Sequence, residues 1–202
     1  MDLSAVELRV LGCLIEKQRT TPDVYPLSVN SLRSACNQST NRDPVVSYDE
    51  PTIRTALNEL SRRGWVRLTS GPGSRAAKYR HLLDDAVGLS DAEISLLALL
   101  MLRGPQTPGE LKQRSERLHP VASLDDVEQT VSELIERELA ERLPRRPGQK
   151  EERYAHKLGA ESEDGVAAAA PGAQAPATPG LEERVARLEA EVRELRERLD
   201  AR

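Results

Sequence analysis

At 202 residues, the chain is long enough for one large domain or two small ones, and a net charge of −4 calls for no nucleic-acid partner overall. Aromatics at 2%, with no Phe, argue against the stacked-base platforms of single-strand binders, and Cys13 and Cys36 alone build neither a disulfide framework nor a zinc site. The acidic start MDLSAVELR has no charged-then-apolar leader and the apolar run Leu96 to Leu102 is too short for a bilayer, so a cytoplasmic protein without membrane contact is expected.

In chain order, Ser4 with Glu7 is an S-x-x-E capping box that opens a first helix. A second helix is predicted from about Ser28 to Cys36. A third starts near Asp49-Glu50-Pro51 and carries the apolar stripe Ile53, Leu57 and Leu60. Trp65 to Leu68, a Gly/Pro-rich tip over Ser70 to Ser74, and Ala77 to Arg80 read as a β-hairpin.

The same plan then recurs. Leu3-Ser4-Ala5-Val6-Glu7-Leu8 matches Leu89-Ser90-Asp91-Ala92-Glu93-Ile94 at a separation of 86. Thr21-Pro22 matches Thr107-Pro108 at the same separation, and Tyr79-Arg80-His81 matches Tyr154-Ala155-His156 at 75. The first copy is therefore 11 residues longer, the extra lying between its second and third helices or just before them. In the second copy, Ser90 and Glu93 cap a helix that stops at Gly104-Pro105. Thr107 caps the next, with Pro108 at its first position and Glu110 at its third. Ser123 caps a third, with the stripe Val127, Val131 and Leu134, and Leu139 to His156 supplies the hairpin. Three helices and a two-stranded ribbon make a winged helix-turn-helix, and two copies make a tandem. The expected fold class is mainly α with small β-hairpins (α+β). Its domains span residues 1–86 and 87–158.

Residues 159–180 are Ala, Pro, Gly and acid, which reads as a flexible linker. In residues 181–202, Leu181, Val185, Leu188, Val192, Leu195 and Leu199 alternate at spacings of four and three, an a/d heptad seam. Valine at a and leucine at d favour a parallel two-stranded coil, in which Arg184 meets Glu189 and Glu191 meets Arg196. A homodimer through this tail is expected, and a lone solvated helix is the alternative.

The run TPDVYPLSVNSLRSACNQ, followed by NRDPV, resembles the YceH family of bacterial tandem winged-helix proteins, as do RVLGCLIEK and LRGPQTPGEL. The resemblance covers roughly residues 3 to 158 and implies the fold without implying a reaction. Ser39 departs from it, since relatives tend to carry a lysine after CNQ, and the heptad tail lies outside the family's common region.

Charge is unevenly spread. Residues 1–83 hold 12 basic and 8 acidic side chains, residues 87–159 hold 11 and 13, and residues 160–202 hold 6 and 10. Any contact with double-stranded DNA is therefore expected from the first copy, whose third helix offers Thr52, Arg54, Thr55, Asn58, Arg62 and Arg63 and whose wing offers Arg75 and Lys78. The third helix of the second copy carries Asp125, Asp126, Glu128 and Glu133, which repel phosphate, although Arg145, Arg146 and Lys150 make its wing basic. In the loop CNQSTNRDP, Asn37, Gln38, Asn41 and Arg42 have two readings: contacts to a nucleic-acid backbone or partner, or braces for the end of helix 2. Cys36 and His81 have the chemistry of a nucleophile and a base, but no orienting acid or oxyanion nest accompanies them. His81, His119 and His156 are too scattered for a metal signature. No enzyme, cofactor or metal is expected. The functional expectation is a DNA-binding, regulatory protein, with a protein-interaction adaptor as the alternative. Finally, Ile94 to Leu102 is apolar nearly all round, so this helix must be covered by the other copy or by a second protomer.

Overall fold

The computed structural model describes residues 2–69, 76–145 and 151–159, all within one compact unit. The heptad residues Leu181, Val185, Leu188, Val192, Leu195 and Leu199 lie outside the described residues, as does the linker beyond Gly159.

The first repeat begins with α1 (Ala5–Thr20), and Ser4 and Glu7 close the capping box reciprocally. A 3-10 turn over Pro22–Val24 and a two-residue strand, β1 (Leu27–Ser28), precede α2 (Val29–Cys36), which Ser28 caps. Then come α3 (Glu50–Arg62), β2 (Val66–Leu68) and β3 (Lys78–His81), the sheet order being β1-β3-β2 and wholly antiparallel. A short helix, α4 (Leu83–Val87), ends at Gly88, whose positive φ of 69° leads the chain into the second repeat. There α5 (Asp91–Arg103), α6 (Pro108–Ser115) and α7 (Leu124–Glu136) are each opened by a capping box, at Ser90, Thr107 and Ser123. β4 (Ala140–Leu143) and β5 (Arg153–His156) form the second hairpin. No described helix is long and apolar enough to cross a membrane.

The repeat is visible in the backbone, with one correction to its alignment. Thr107 caps α6, whereas Thr21-Pro22 opens the 3-10 turn, so the structural counterpart of Thr107 is Ser28. The starts of α1 and α5 are 86 residues apart, those of α2 and α6 79, and those of α3 and α7 74. The extra residues are thus divided between two connections, with most of them before α2. Even so, the pairing before each second helix persists: Leu27 lies opposite Tyr79, and Gln106 bridges Tyr154 in the matching place.

One core serves both repeats. Every residue of α5 from Glu93 to Leu102 is buried, as is every residue of α1 from Glu7 to Ile15, and the two helices pack on each other. Burial on every side removes the apolar surface that a single small domain would leave wet. The helices approach closely at Gly12, where an added Cβ would lie 2.9 Å from Leu102 Cγ. Around this seam, Asp91 accepts from Arg19 at 2.6 Å, the Asp43 N–H donates to the Leu102 carbonyl at 2.9 Å, and the Leu3 N–H donates to the Leu158 carbonyl at 2.9 Å.

Candidate nucleic-acid interface

Helix α3 is placed by its apolar face. Ile53, Ala56, Leu57 and Leu60 are buried, which turns Arg54, Thr55, Asn58 and Arg62 to solvent. Asp49 caps the helix by accepting from the Thr52 N–H at 2.9 Å, and bonds from Thr52 hold its carboxyl below the usual range. Thr52 is thus tied to the cap through its backbone and is half-buried. Arg54 donates to Glu50 at 2.6 Å, and Arg62 to Glu59 at 2.5 Å. Arg63 turns away from the helix face, over the Trp65 ring at 5.9 Å, and donates to the Asp2 carbonyl. Each charged residue proposed on α3 therefore already has a partner, while Thr55 and Asn58 are neutral and exposed.

The first hairpin is different. Its register sets Arg67 directly opposite Arg80, with Lys78 two residues from Arg80 on the same solvent-facing side. Neither Arg67 nor Arg80 has a carboxylate within ion-pair distance among the described residues. Like charges directly opposed across strands destabilise a hairpin. Arg75 lies outside the described residues, so of the two proposed wing residues the structure positions Lys78. Sequence reasoning missed Arg67 and Arg80. Writing the two strands in antiparallel register, with Tyr79 and His81 turned inward, would have exposed the pair.

The second hairpin and its helix lack this arrangement. Arg142 stacks on the Tyr154 ring at 5.8 Å and pairs with Glu152 at 3.2 Å, and Arg145 reaches the same carboxylate at 3.6 Å. Asp125, Asp126, Glu128 and Glu133 are all exposed on α7, and Arg146 and Lys150 lie outside the described residues.

The CNQSTNRDP loop is built from internal contacts. Arg42 is 6% exposed; it donates to the Ala35 carbonyl at 3.1 Å, to Glu16 at 2.5 Å and to Gln38 Oε1 at 2.9 Å. Arg9 donates to the Cys36 and Pro44 carbonyls, so two buried guanidinium groups serve the open end of α2. Asn37 makes a two-way bridge with the Tyr48 backbone, at 2.8 Å in each direction. Asn41 adopts a positive φ of 61° and accepts from Arg103 of the second repeat. Three of the four loop candidates, Asn37, Gln38 and Arg42, thus point inward; only Asn41 is exposed.

Cys36 and His81 are engaged separately. The Cys36 thiol is fully buried and hydrogen-bonded to the free Cys13 thiol, an arrangement that, with burial, pushes its pKa up. His81 sits beside Gln18 Oε1 and 3.5 Å from Asp84, and burial lowers its pKa to about 4. The His81 backbone N–H donates to the Tyr25 hydroxyl at 2.8 Å, and burial raises that phenol to about 12. His156, its counterpart, is also lowered by burial.

A profile of the family described as "Protein of unknown function, DUF480" matches residues 3–149. The chain belongs to this family. Among its relatives, a UPF0502 protein of Pelobacter propionicus is 48% identical over 201 residues, covering 98% of this chain and 91% of that one. The UPF0502 protein of Geobacter sulfurreducens is 51% identical over 161 residues, covering 79% and 73%. That of Stenotrophomonas maltophilia strain K279a is 48% identical over 203 residues, covering 98% and 92%. The family profile stops before the heptad tail, yet two of these alignments extend through nearly all of the chain. The profile's end at residue 149 agrees with a common region that stops before the tail, while these two relatives align beyond it.

Proposed function

We propose that this chain is a tandem winged-helix protein, non-enzymatic and cytoplasmic, that binds double-stranded DNA through its first repeat and dimerises through residues 181–202. The observation that carries the reading is the opposed Arg67–Arg80 pair, with Lys78 beside it, on the hairpin that follows α3. A strand pair that keeps two unneutralised cations face to face is suited to phosphates on either side of a groove. In this reading Thr55 and Asn58 present uncharged hydrogen-bonding groups to base edges, and Arg54 and Arg62 exchange their glutamate partners for phosphates. The acidic face of α7 excludes the second repeat from the same role, leaving it as the rigid support of α1 and a platform for other contacts. Dimerisation would tether two such faces through the linker at residues 159–180, raising the effective concentration of the second face, which suits a regulatory protein.

The adaptor reading draws on one observation, the neutralisation of Arg54 and Arg62 by glutamates of their own helix. The two readings separate in a fluorescence-anisotropy titration of labelled duplex DNA with the full chain at several salt concentrations. A DNA-binding protein gives an affinity that falls steeply with salt. Absence of duplex binding at low salt leaves the adaptor.

A further inference from the structure

Between the repeats, α1, the loop at residues 38–41, α5 and α6 enclose a cleft of about 500 Å³. Lys17 and Asn41 line it from the first repeat, and Arg103, Arg114 and Arg117 from the second. A smaller hollow of about 200 Å³ is also lined by Asn41, Arg103 and Arg114. The main cleft is of the size that holds a small molecule, and its floor includes the apolar side chains Leu99, Leu102 and Leu118.

The carboxylates at this place are already engaged. Glu16 is held by Arg42 at 2.5 Å and by Lys17 at 3.7 Å, and Glu110 by Arg114 at 3.2 Å and Arg153 at 3.5 Å. Arg103 and Arg117 have no carboxylate within ion-pair distance among the described residues, and Arg103 donates only to the neutral Asn41 amide oxygen. Partial burial and the nearby Arg114 and Arg42 charges press the Arg103 pKa downward. The second repeat is net acidic, yet its cations converge here on a concave wall with apolar backing, where the field of like charges is focused.

We propose that this cleft binds a small, multiply charged oxyanion of the polyphosphate or polycarboxylate class. Arg103, Arg114 and Arg117 supply the forked donors, which match the geometry of either group, and Lys17 adds a point charge from across the seam. Such a ligand bridges the two repeats and stabilises their packing by mass action. The site stands apart from the DNA reading, because none of these residues lies on α3 or the first hairpin.

The test is isothermal titration calorimetry of the full chain with pyrophosphate and with citrate, paired with melting curves. Saturable binding of either anion, with a rise in Tm, is the expected result, and the anion that binds names the class. Arg103→Gln with Arg117→Gln should weaken it about tenfold or more. Arg117→Gln alone, at an exposed position that leaves folding intact, should already weaken it. No saturable binding of either anion, or unchanged affinity in both variants, overturns the proposal. So does a third result, in which these variants lose duplex DNA binding while neither anion binds, since the cleft would then be a DNA contact.

Discussion

Gly12 tests the packing that joins the repeats, because two effects of known size oppose each other there. In the interior of α1, replacing glycine by alanine should stabilise the helix by about 1 kcal/mol. The new Cβ, however, would stand 2.9 Å from Leu102 Cγ and 3.0 Å from Leu102 Cδ2, and Leu102 is itself fully buried. Forcing a methyl into such a contact costs about 1–3 kcal/mol. Gly12→Ala should therefore destabilise by up to about 2 kcal/mol, lowering Tm by roughly 2–4 °C for each kcal/mol. Gly109→Ala is the control, since its nearest neighbour would be Thr107 Oγ1 at 3.9 Å, and it should be neutral or stabilising by a fraction of a kcal/mol. In a double-mutant cycle, Leu102→Ala should relieve the strain of Gly12→Ala, so the two changes together cost less than their sum. Thermal and urea melts of the five proteins (the parent, the three single variants and the double variant) give the answer. If Gly12→Ala raises Tm as much as Gly109→Ala does, α1 and α5 are not in close contact there.

Protonation of His81 should weaken the fold. Its pKa is 6.5 in the unfolded chain and about 4 in the folded one, so stability is full above 6.5 and declines by on the order of 3 kcal/mol as pH falls to about 4. His81→Gln should flatten that slope in melts across this window, and an unchanged slope would assign it to other groups. Asn37→Ala removes both bonds to Tyr48 and should cost about 1–3 kcal/mol, whereas Asn41→Ala, at an exposed site, should cost less; equal losses in urea titrations would contradict the bracing role of Asn37. Deleting residues 181–202 should turn a dimer into a monomer in light scattering without lowering Tm, and an unchanged mass would remove the tail from assembly.

The helices were legible because their signals are local. Ser4, Ser90 and Thr107 each stand three residues before a glutamate, and each closes a box in the structure. Ser123 does the same with Asp126, a shorter acid that the sequence pattern undervalues. The features without a local signal are either short or long-range. β1 has two residues and exists because β3 is beside it, and α4 starts at Leu83, after Leu82, which offers no side-chain cap to announce it. The burial of α5 on all sides was legible as an excess of leucine, but Gly12 as the residue admitting Leu102 was not, since that contact joins positions ninety residues apart. At the candidate interface, the exposed face of α3 followed from its apolar stripe. The intrahelical partners of Arg54 and Arg62 follow from the i, i+4 and i, i+3 spacings. The Arg67–Arg80 pair needed the hairpin register. The cleft at Arg103 needed both repeats folded together.

Duplex binding by the first repeat, as proposed, rests on the opposed arginines of its hairpin. The most direct measurement is the salt dependence of duplex affinity for the full chain and for Arg67→Gln with Arg80→Gln, together with the Tm of each. Each phosphate contact adds about one to the slope of log affinity against log salt, so the double variant should lose about two, with weaker binding to every sequence. Its Tm should hold or rise, because a like-charge pair has been removed from the strands. An unchanged slope and affinity in a variant that melts at or above the parent would contradict the account, since the hairpin would then carry its charge for another partner.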